Sequence, residues 1–390
     1  MTLEAQYTIQ VLTALINDKT TPMPPAQIDW KAFFDFALKH KVENMIYAAF
    51  LGMESIVPNE IMTALAQRYS FGVAHEAAQE ISFLELVDKF EEKNIKSIPL
   101  KGCILKHLYP MPDYRQSGDI DILVAEEDFF KVAPVMEELG YAGDAGDEIE
   151  IHITYRRPPY VLMEIHKKLV ETRQRTSEYL SDVWKYASPL KGYNNRFEMD
   201  KETTYVYIVA HMAKHIKNGG AGIRLVLDIW VLLRLWEKEF DKEKLDSALK
   251  AAKLYEFNNW AAALAKLWFG GESCEDKNVH ILGEYVVDSG IYGNNENRKK
   301  LNASIVEDDK KAMMTYRVKK LFKSVFLPVV IMRNQYPVLV KYKFLLPVMW
   351  IHRVFKILFK DRGKVSKRLS SSLEINDDAK ELRDIWESVR

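Results

Sequence analysis

The chain has 390 residues, 48% of them apolar and 28% charged, with 17 Gly and 14 Pro. That is the make-up of a folded protein of two or three structural units, and it excludes collagen-like and low-complexity chains. Lys and Arg number 55, as do Asp and Glu, so the zero net charge by itself points to neither nucleic acid nor an acidic polymer as partner.

The first twenty residues carry Glu4 and no basic stretch, so they do not read as a signal peptide. Residues 1–92 read as helical. Trp30, Phe33, Phe34, Phe36 and Ala37, then Ile46, Ala49 and Phe50, recur at helical spacing. From Asn59 to Lys93 the same period continues without a proline, which predicts one long helix or two stacked ones.

The texture changes at Asn94. Ile95 to Leu100 is short, apolar and alternating, and predicts a strand. Lys101-Gly102 ends it, and Cys103 to Tyr109 is expected to be helical. A loop follows through Pro110, Pro112 and Gly118, then a strand over Asp119–Val124 and a helix over Glu126–Leu139. The runs 148–156 and 160–166 flank Pro158-Pro159 and predict a hairpin with the prolines in its turn.

Helices return after Lys201, over Thr203–Lys217, Leu225–Trp236, Lys242–Leu254 and Asn258–Phe269. Residues 287–303 are rich in Gly and Asn and suit a surface linker. From Lys311 to Ser370 there are 15 Lys and Arg against one acid, Asp361. This block is interrupted by Pro328, Pro337 and Pro347. No stretch approaches the roughly 18 charge-free apolar residues of a membrane span. Only two cysteines are present, Cys103 and Cys274, which excludes a disulfide framework and a cysteine-based zinc module. The location expected is cytoplasmic, with attachment to a membrane surface left open by the basic block.

The fold class expected is α+β: a small mixed sheet with large helical regions before and after it. Four stretches are expected: a helical region over 1–92, the sheet-bearing core over 93–200, a helical domain over 201–303, and a basic amphipathic segment with the tail over 304–390.

The chemistry concentrates at Gly118-Asp119-Ile120-Asp121. Alternate residues on a strand share a face, so Asp119 and Asp121 project together while Ile120 and Ile122 turn to the core. Adjacent carboxylates repel unless a cation lies between them. Oxygen donors suit Mg²⁺ or Mn²⁺. Glu164 is the lone acid in an apolar strand and supplies a candidate third carboxylate. It would have to lie within about 8 Å of the aspartates to share ions spaced about 3.5–4 Å apart. Lys101 and Arg115 are candidate cations for a triphosphate. Gly102 opens a helix whose N-terminal amides favour an anion.

These residues resemble a known family. Leu100-Lys101-Gly102, Tyr109-Pro110, Arg115, Gly118-Asp119-Ile-Asp121 and Glu164-Ile-His166 are similar to a bacterial family of nucleotidyltransferases within the DNA polymerase β-like superfamily. The likeness extends to Trp30, His40-Lys-Val, the His211–His215 helix, Arg224 to Asp228, and Trp350-Ile-His-Arg353. It implies a nucleotidyltransferase core that transfers NMP from an NTP to an acceptor and releases pyrophosphate. Asp119, Asp121 and Glu164 match its metal and catalytic carboxylates. Lys101, Gly102, Arg115, Ser117 and Gly118 match the surroundings of its phosphate site. The wider superfamily carries Gly-Ser or Gly-Gly at the start of that helix; in this chain the residues are Lys101-Gly102-Cys103, and the nearby serine is Ser117.

His166 shares a strand face with Glu164 and is either an acceptor or phosphate contact or a strand-end histidine. His211 and His215 share a helix face. His211 reads as packing, while Lys214, His215 and Asp228 are candidate contacts to base or acceptor. Cys103 has no evident activating partner and reads as packing. The basic block 311–370 is read first as a helical subdomain, then as a surface for anionic membrane, then for RNA. Two other functions stay open: a non-catalytic nucleotide-binding or scaffolding module at a membrane surface, and a toxin-like enzyme that modifies tRNA.

Overall fold

The computed structural model describes residues 1–143, 151–158, 161–170, 176–291, 293, 297, 332, 336, 338–359 and 383–389. The chain divides into two compact units, Met1–Asn294 with Glu387–Arg390, and Asn295–Trp386.

The first unit opens with helices α1 (Leu3–Ile16), α2 (Trp30–His40), α3 (Glu43–Phe50) and α4 (Asn59–Glu92). Asp29 caps α2 by accepting from the amides of Lys31 and Ala32, and Lys41 closes it in the left-handed conformation. Tyr7, Phe33 and Phe50 stack behind this turn and are fully buried. The periodicity from Asn59 onward resolves as a single 34-residue helix.

A five-stranded sheet follows, from β1 (Ser97–Pro99), β2 (Ile120–Val124), β3 (Ala142–Gly143), β4 (His152–Arg157) and β5 (Val161–His166), in the order β1-β2-β5-β4-β3. β2 and β5 are parallel, and the other pairings are antiparallel. The sheet is therefore mixed, as the sequence indicates. Two short helices interleave with it, α5 (Gly102–Leu105) and α6 (Val132–Glu138). One sheet face carries Ile120, Ile122, Val124, Met163 and Ile165. These pack on Phe83, Leu86, Val87 and Phe90 of α4 and on Val132, Val135 and Met136 of α6. Ile120 and Ile122 point to the core as the alternation predicts. Removing the apolar face from water is what seats the sheet on α4.

Element bounds differ from expectation by one to several residues in several places (the helix expected over Glu126–Leu139 is a 3₁₀ turn, Glu126–Lys131, followed by α6), and two of the differences lie at the site. Asp119 lies one residue before β2 rather than within it. The helix after Lys101 is one α turn, Gly102–Leu105, running into a 3₁₀ turn at Lys106–Leu108. So few aligned peptide dipoles make no anion site of their own.

A two-stranded ribbon, β6 (Ala187–Pro189) with β7 (Phe197–Met199), follows the one-turn helix α7 (Ser177–Leu180). Helices α8 (Lys201–Lys217), α9 (Ile223–Trp236), α10 (Lys242–Ala251), α11 (Tyr255–Ala265) and α12 (Lys277–Ser289) complete the unit. Asp200 caps α8 through the Thr203 amide, and Asp241 and Asp276 cap α10 and α12. The linker expected over 287–303 does not begin at Val287. Val286 and Val287 continue the apolar face of α12 and are buried, and Gly290, at φ +70°, stops the helix. Most of the rest of that stretch lies outside the described residues.

The second unit contains α13 (Val338–Lys341), a 3₁₀ turn at Lys343–Leu345 and α14 (Leu346–Phe359); the described chain ends with α15 (Arg383–Val389). Phe344, Val348 and Ile351 are exposed. Much of the basic block 311–370, with Pro328 and Pro337, lies outside the described residues. Among those described, no helix is long and apolar enough to cross a membrane.

Candidate active site

Strand register builds the site. Asp121 on β2 is the Cα partner of Glu164 on the parallel β5. Their side chains share a face, opposite the isoleucine face. One donor oxygen each from Asp119, Asp121 and Glu164 lies within 4.8 Å of the others. Glu164 therefore meets the two aspartates, as a shared-ion arrangement requires.

Asp121 is 2% exposed and carries two donors. Lys101 Nζ donates to its Oδ1 at 2.7 Å, and His166 Nε2 donates to the same oxygen at 2.8 Å. Burial pushes the Asp121 carboxyl up, but Lys101 and His166 outweigh it and hold the group well below the usual carboxylate range. Asp119 behaves oppositely. Burial, then the charge of Asp121, push it up to about 6. Glu164 is held down by His166, 3.6 Å away. Burial would lower Lys101, but the Tyr207 hydroxyl and Asp121 more than reverse that.

Lys101 reaches Asp121 through an unusual backbone. The Leu100 amide continues the ladder by donating to the Asp121 carbonyl at 3.0 Å, and Lys101 then turns at φ +43°, ψ −111°. A non-glycine residue there stores strain, which the surrounding contacts must hold. Gly102 follows because no side chain fits. A Cβ on it would lie 2.7 Å from Ser117 Oγ and 3.1 Å from Arg115 Nη1.

The loop before Asp119 is clamped from both helical regions. Asn44 of α3 donates to the Asp113 carbonyl at 3.0 Å, and Gln116 donates to Asn44 at 2.7 Å. Gln79 of α4 donates to the Ser117 carbonyl at 3.4 Å. Arg224 of α9 donates to the Gln116 carbonyl. Arg115 makes two 2.9 Å bonds to Asp228 of α9, and the Tyr109 hydroxyl adds a third at 2.8 Å. Arg115 and Asp228 are 4% and 1% exposed. The structure thus commits Arg115 to Asp228 and places Asp228 behind the loop. Gly118 is exposed beside Asp119, with open space where a side chain would be.

Helix α8 runs close to Lys101. Tyr207, His211 and His215 recur every four residues on it, and all three feel the charge of Lys101. The two imidazoles meet edge to face at 4.5 Å. Burial, then Lys101, hold His215 down to about 4, so it is neutral at pH 7. Lys214 is exposed on the same helix. Cys103 is buried, its thiol pushed up to about 12 by burial, and it packs in the sheet core as the sequence suggests.

Sequence reasoning missed Tyr109, Tyr207 and His152 as site neighbours. His152 on β4 is the Cα partner of His166, and its ring centroid is 4.9 Å from that of His166. Counting outward from Pro159 by equal steps gives both residues, so the hairpin already held that signal.

The family model described as "Uncharacterised nucleotidyltransferase" matches residues 26–270. The matched stretch spans both clamping helical regions, the sheet and the carboxylates. No curated protein and no solved structure matches the chain. The chain belongs to this nucleotidyltransferase family, which supports a general role in nucleotidyl transfer.

Proposed function

We propose that the protein is a metal-dependent nucleotidyltransferase that passes NMP from an NTP to an acceptor hydroxyl or amine. The observation that carries this reading is the pairing of Asp121 with Glu164 in register, with Asp119 close enough for all three donor oxygens to share a cation. The donor set fits Mg²⁺ or Mn²⁺: it is all oxygen, and Asp119 is pushed up by burial and then by the charge of Asp121, both of which a bound cation would offset. Such an ion would supply charge neutralisation at the reacting phosphate and the leaving pyrophosphate.

Each protein group has its own task in this reaction. Asp119 and Asp121 would hold the metal, and Glu164 would share it or take the proton of the acceptor as its oxygen or nitrogen attacks the α-phosphate. His166 holds the Glu164 carboxyl down, so it is ionised and free to take a proton, and a cation bound nearby would weaken it further as a base. The bond to the bridging oxygen breaks, and pyrophosphate departs. Lys101 neutralises charge on the triphosphate, with Gly102, Ser117 and Gly118 beside it. His166 fixes the Asp121 rotamer through its 2.8 Å bond. Arg115 orients the loop through Asp228 instead of meeting phosphate itself. His215 and Lys214 are the proposed contacts to base or acceptor. Positioning and charge stabilisation would supply most of the rate.

The test is a thermal shift with each NTP, with and without Mg²⁺, on wild type, Asp119→Asn and Glu164→Gln. A ligand bound to the native state raises the melting temperature by mass action. One NTP should give a Mg²⁺-dependent shift that Asp119→Asn removes. The same nucleotide, labelled at the α-phosphate, should then be transferred by wild type and not by Glu164→Gln. Absence of any Mg²⁺-dependent shift refutes the proposal.

A further inference from the structure

Beside the three carboxylates lies a second set of donors with different chemistry. His152, Glu164 and His166 each bring one donor atom within 4.8 Å of the others. The register explains this. His152 faces His166 across the β4–β5 ladder, and Glu164 stands two residues from His166 on the same face. Glu164 Oε1 is 3.6 Å from His152 Nε2, and Glu164 Oε2 is 3.6 Å from His166 Nε2. Each carboxylate oxygen thus has its own imidazole, and both contacts are too long for a direct hydrogen bond. Metal–nitrogen and metal–oxygen bonds of about 2.0–2.1 Å place neighbouring tetrahedral donors about 3.4 Å apart. The two 3.6 Å edges, each from a different oxygen of the one carboxylate, are close to that spacing, and one donor atom from each of the three residues lies within 4.8 Å of the others.

We infer that His152, Glu164 and His166 form a second cation site, of two imidazoles and one carboxylate, for a borderline transition ion such as Zn²⁺ or Co²⁺. Glu164 then belongs to two donor sets. The all-oxygen set favours Mg²⁺, and the imidazole set favours ions that Mg²⁺ does not displace from nitrogen. An ion on the imidazoles takes the position of the proton that His166 shares with Asp121, and Lys101 still compensates Asp121 through its own bond to the same Oδ1. Neither Nδ1 of the two histidines has a hydrogen-bond partner among the described residues. The site therefore lacks the outer-shell acceptors that strengthen tight zinc centres, and its occupancy is expected to be exchangeable. The inference stands on donor geometry and does not require the nucleotidyl-transfer reading.

Co²⁺ reports its own ligand field, so its visible absorption is the readout. The full chain is titrated with Co²⁺ in the absence of nucleotide, as wild type, His152→Ala, His152→Gln and Asp119→Asn, with circular dichroism to verify that each is folded. His152 is only part-buried, with 26% of its side chain exposed, so both substitutions should be tolerated. Wild type should develop the intense bands of low-coordinate, nitrogen-ligated Co²⁺. Both His152 variants should lose those bands and about tenfold or more in affinity. Asp119→Asn should keep them. A wild type without such bands overturns the inference, as do His152 variants that titrate like wild type. Loss of the bands in Asp119→Asn overturns it as well, because the ion would then belong to the carboxylate set. A failed nucleotide shift with intact Co²⁺ bands would sink the nucleotidyl-transfer reading alone.

Discussion

Replacing Arg115 by Met should destabilise the protein severely, and adding Asp228→Leu should restore most of the loss. Arg115 and Asp228 are almost wholly buried, and their two 2.9 Å bonds are joined by one from Tyr109. Removing the guanidinium leaves a carboxylate in a dry site with a single hydroxyl donor. Breaking a buried pair in this way costs about 3–5 kcal/mol. For a unit of this size the melting temperature should fall by roughly 5–8 °C. The double variant removes both charges together, and apolar replacements of similar volume are often close to neutral for such pairs. The assay is urea unfolding followed by circular dichroism for wild type, both single variants and the double variant. A cost below about 1 kcal/mol for Arg115→Met would refute the claim that the pair is desolvated. A double variant no more stable than Arg115→Met would show that the loop needs the charges themselves, and that relieving the stranded carboxylate is not enough.

Two further predictions concern groups outside the acid cluster. His40 accepts from the Ile223 amide through Nδ1 at 3.1 Å and donates from Nε2 to the Val287 carbonyl at 3.2 Å, so only the neutral ring satisfies both. Burial, then Lys39, hold it down to about 3, against 6.5 when exposed. A depressed histidine contributes stability that is complete above the unfolded value and lost as pH falls below it. Between pH 7.5 and 5 the loss should be about 2 kcal/mol. It should be seen as the difference in pH dependence between wild type and His40→Gln in urea melts; parallel curves would contradict it. Gly102→Ala should push Ser117 and Arg115 apart, since its new methyl would lie 2.7 Å and 3.1 Å from them. A cost of about 1–3 kcal/mol is expected, with a weaker nucleotide-dependent thermal shift, and an unchanged melt would show that the loop yields freely.

Much of the site is legible in the sequence because its information is local. The Asp119–Asp121 spacing, the lone Glu164 in an apolar strand and the proline-centred hairpin each follow from a two-residue period. Adjacency of β2 and β5 is not legible, since no period states which strands pair. Sequence alone separates the roles of Arg115 and Asp228, sending one to phosphate and the other to base or acceptor. They prove to be partners 113 residues apart. Composition cannot reveal such a pair, because a buried arginine and an exposed one look alike in a loop. The helix after Gly102 is shorter than its sequence predicts for a related reason. Its apolar residues pack around a turn whose course is set by Lys101 reaching back to Asp121.

The clamp on the loop before Asp119 also carries a consequence for the order in which the chain assembles. Lys101, the aspartates, Glu164 and His166 fall within one stretch, so modest loop closures bring them together. Arg115 must wait for α9, which lies beyond the last strand of the sheet. On a ribosome, every acid of the cluster emerges well before the carboxylate that neutralises the loop behind it. Until Asp228 arrives, the guanidinium must stay hydrated and the loop cannot close dry. A nascent chain ending before Ile223 would hold all three carboxylates and still lack a fixed geometry for them. Competence of the site is thereby tied to completion of the helical region that follows it, and a truncated product should be catalytically silent.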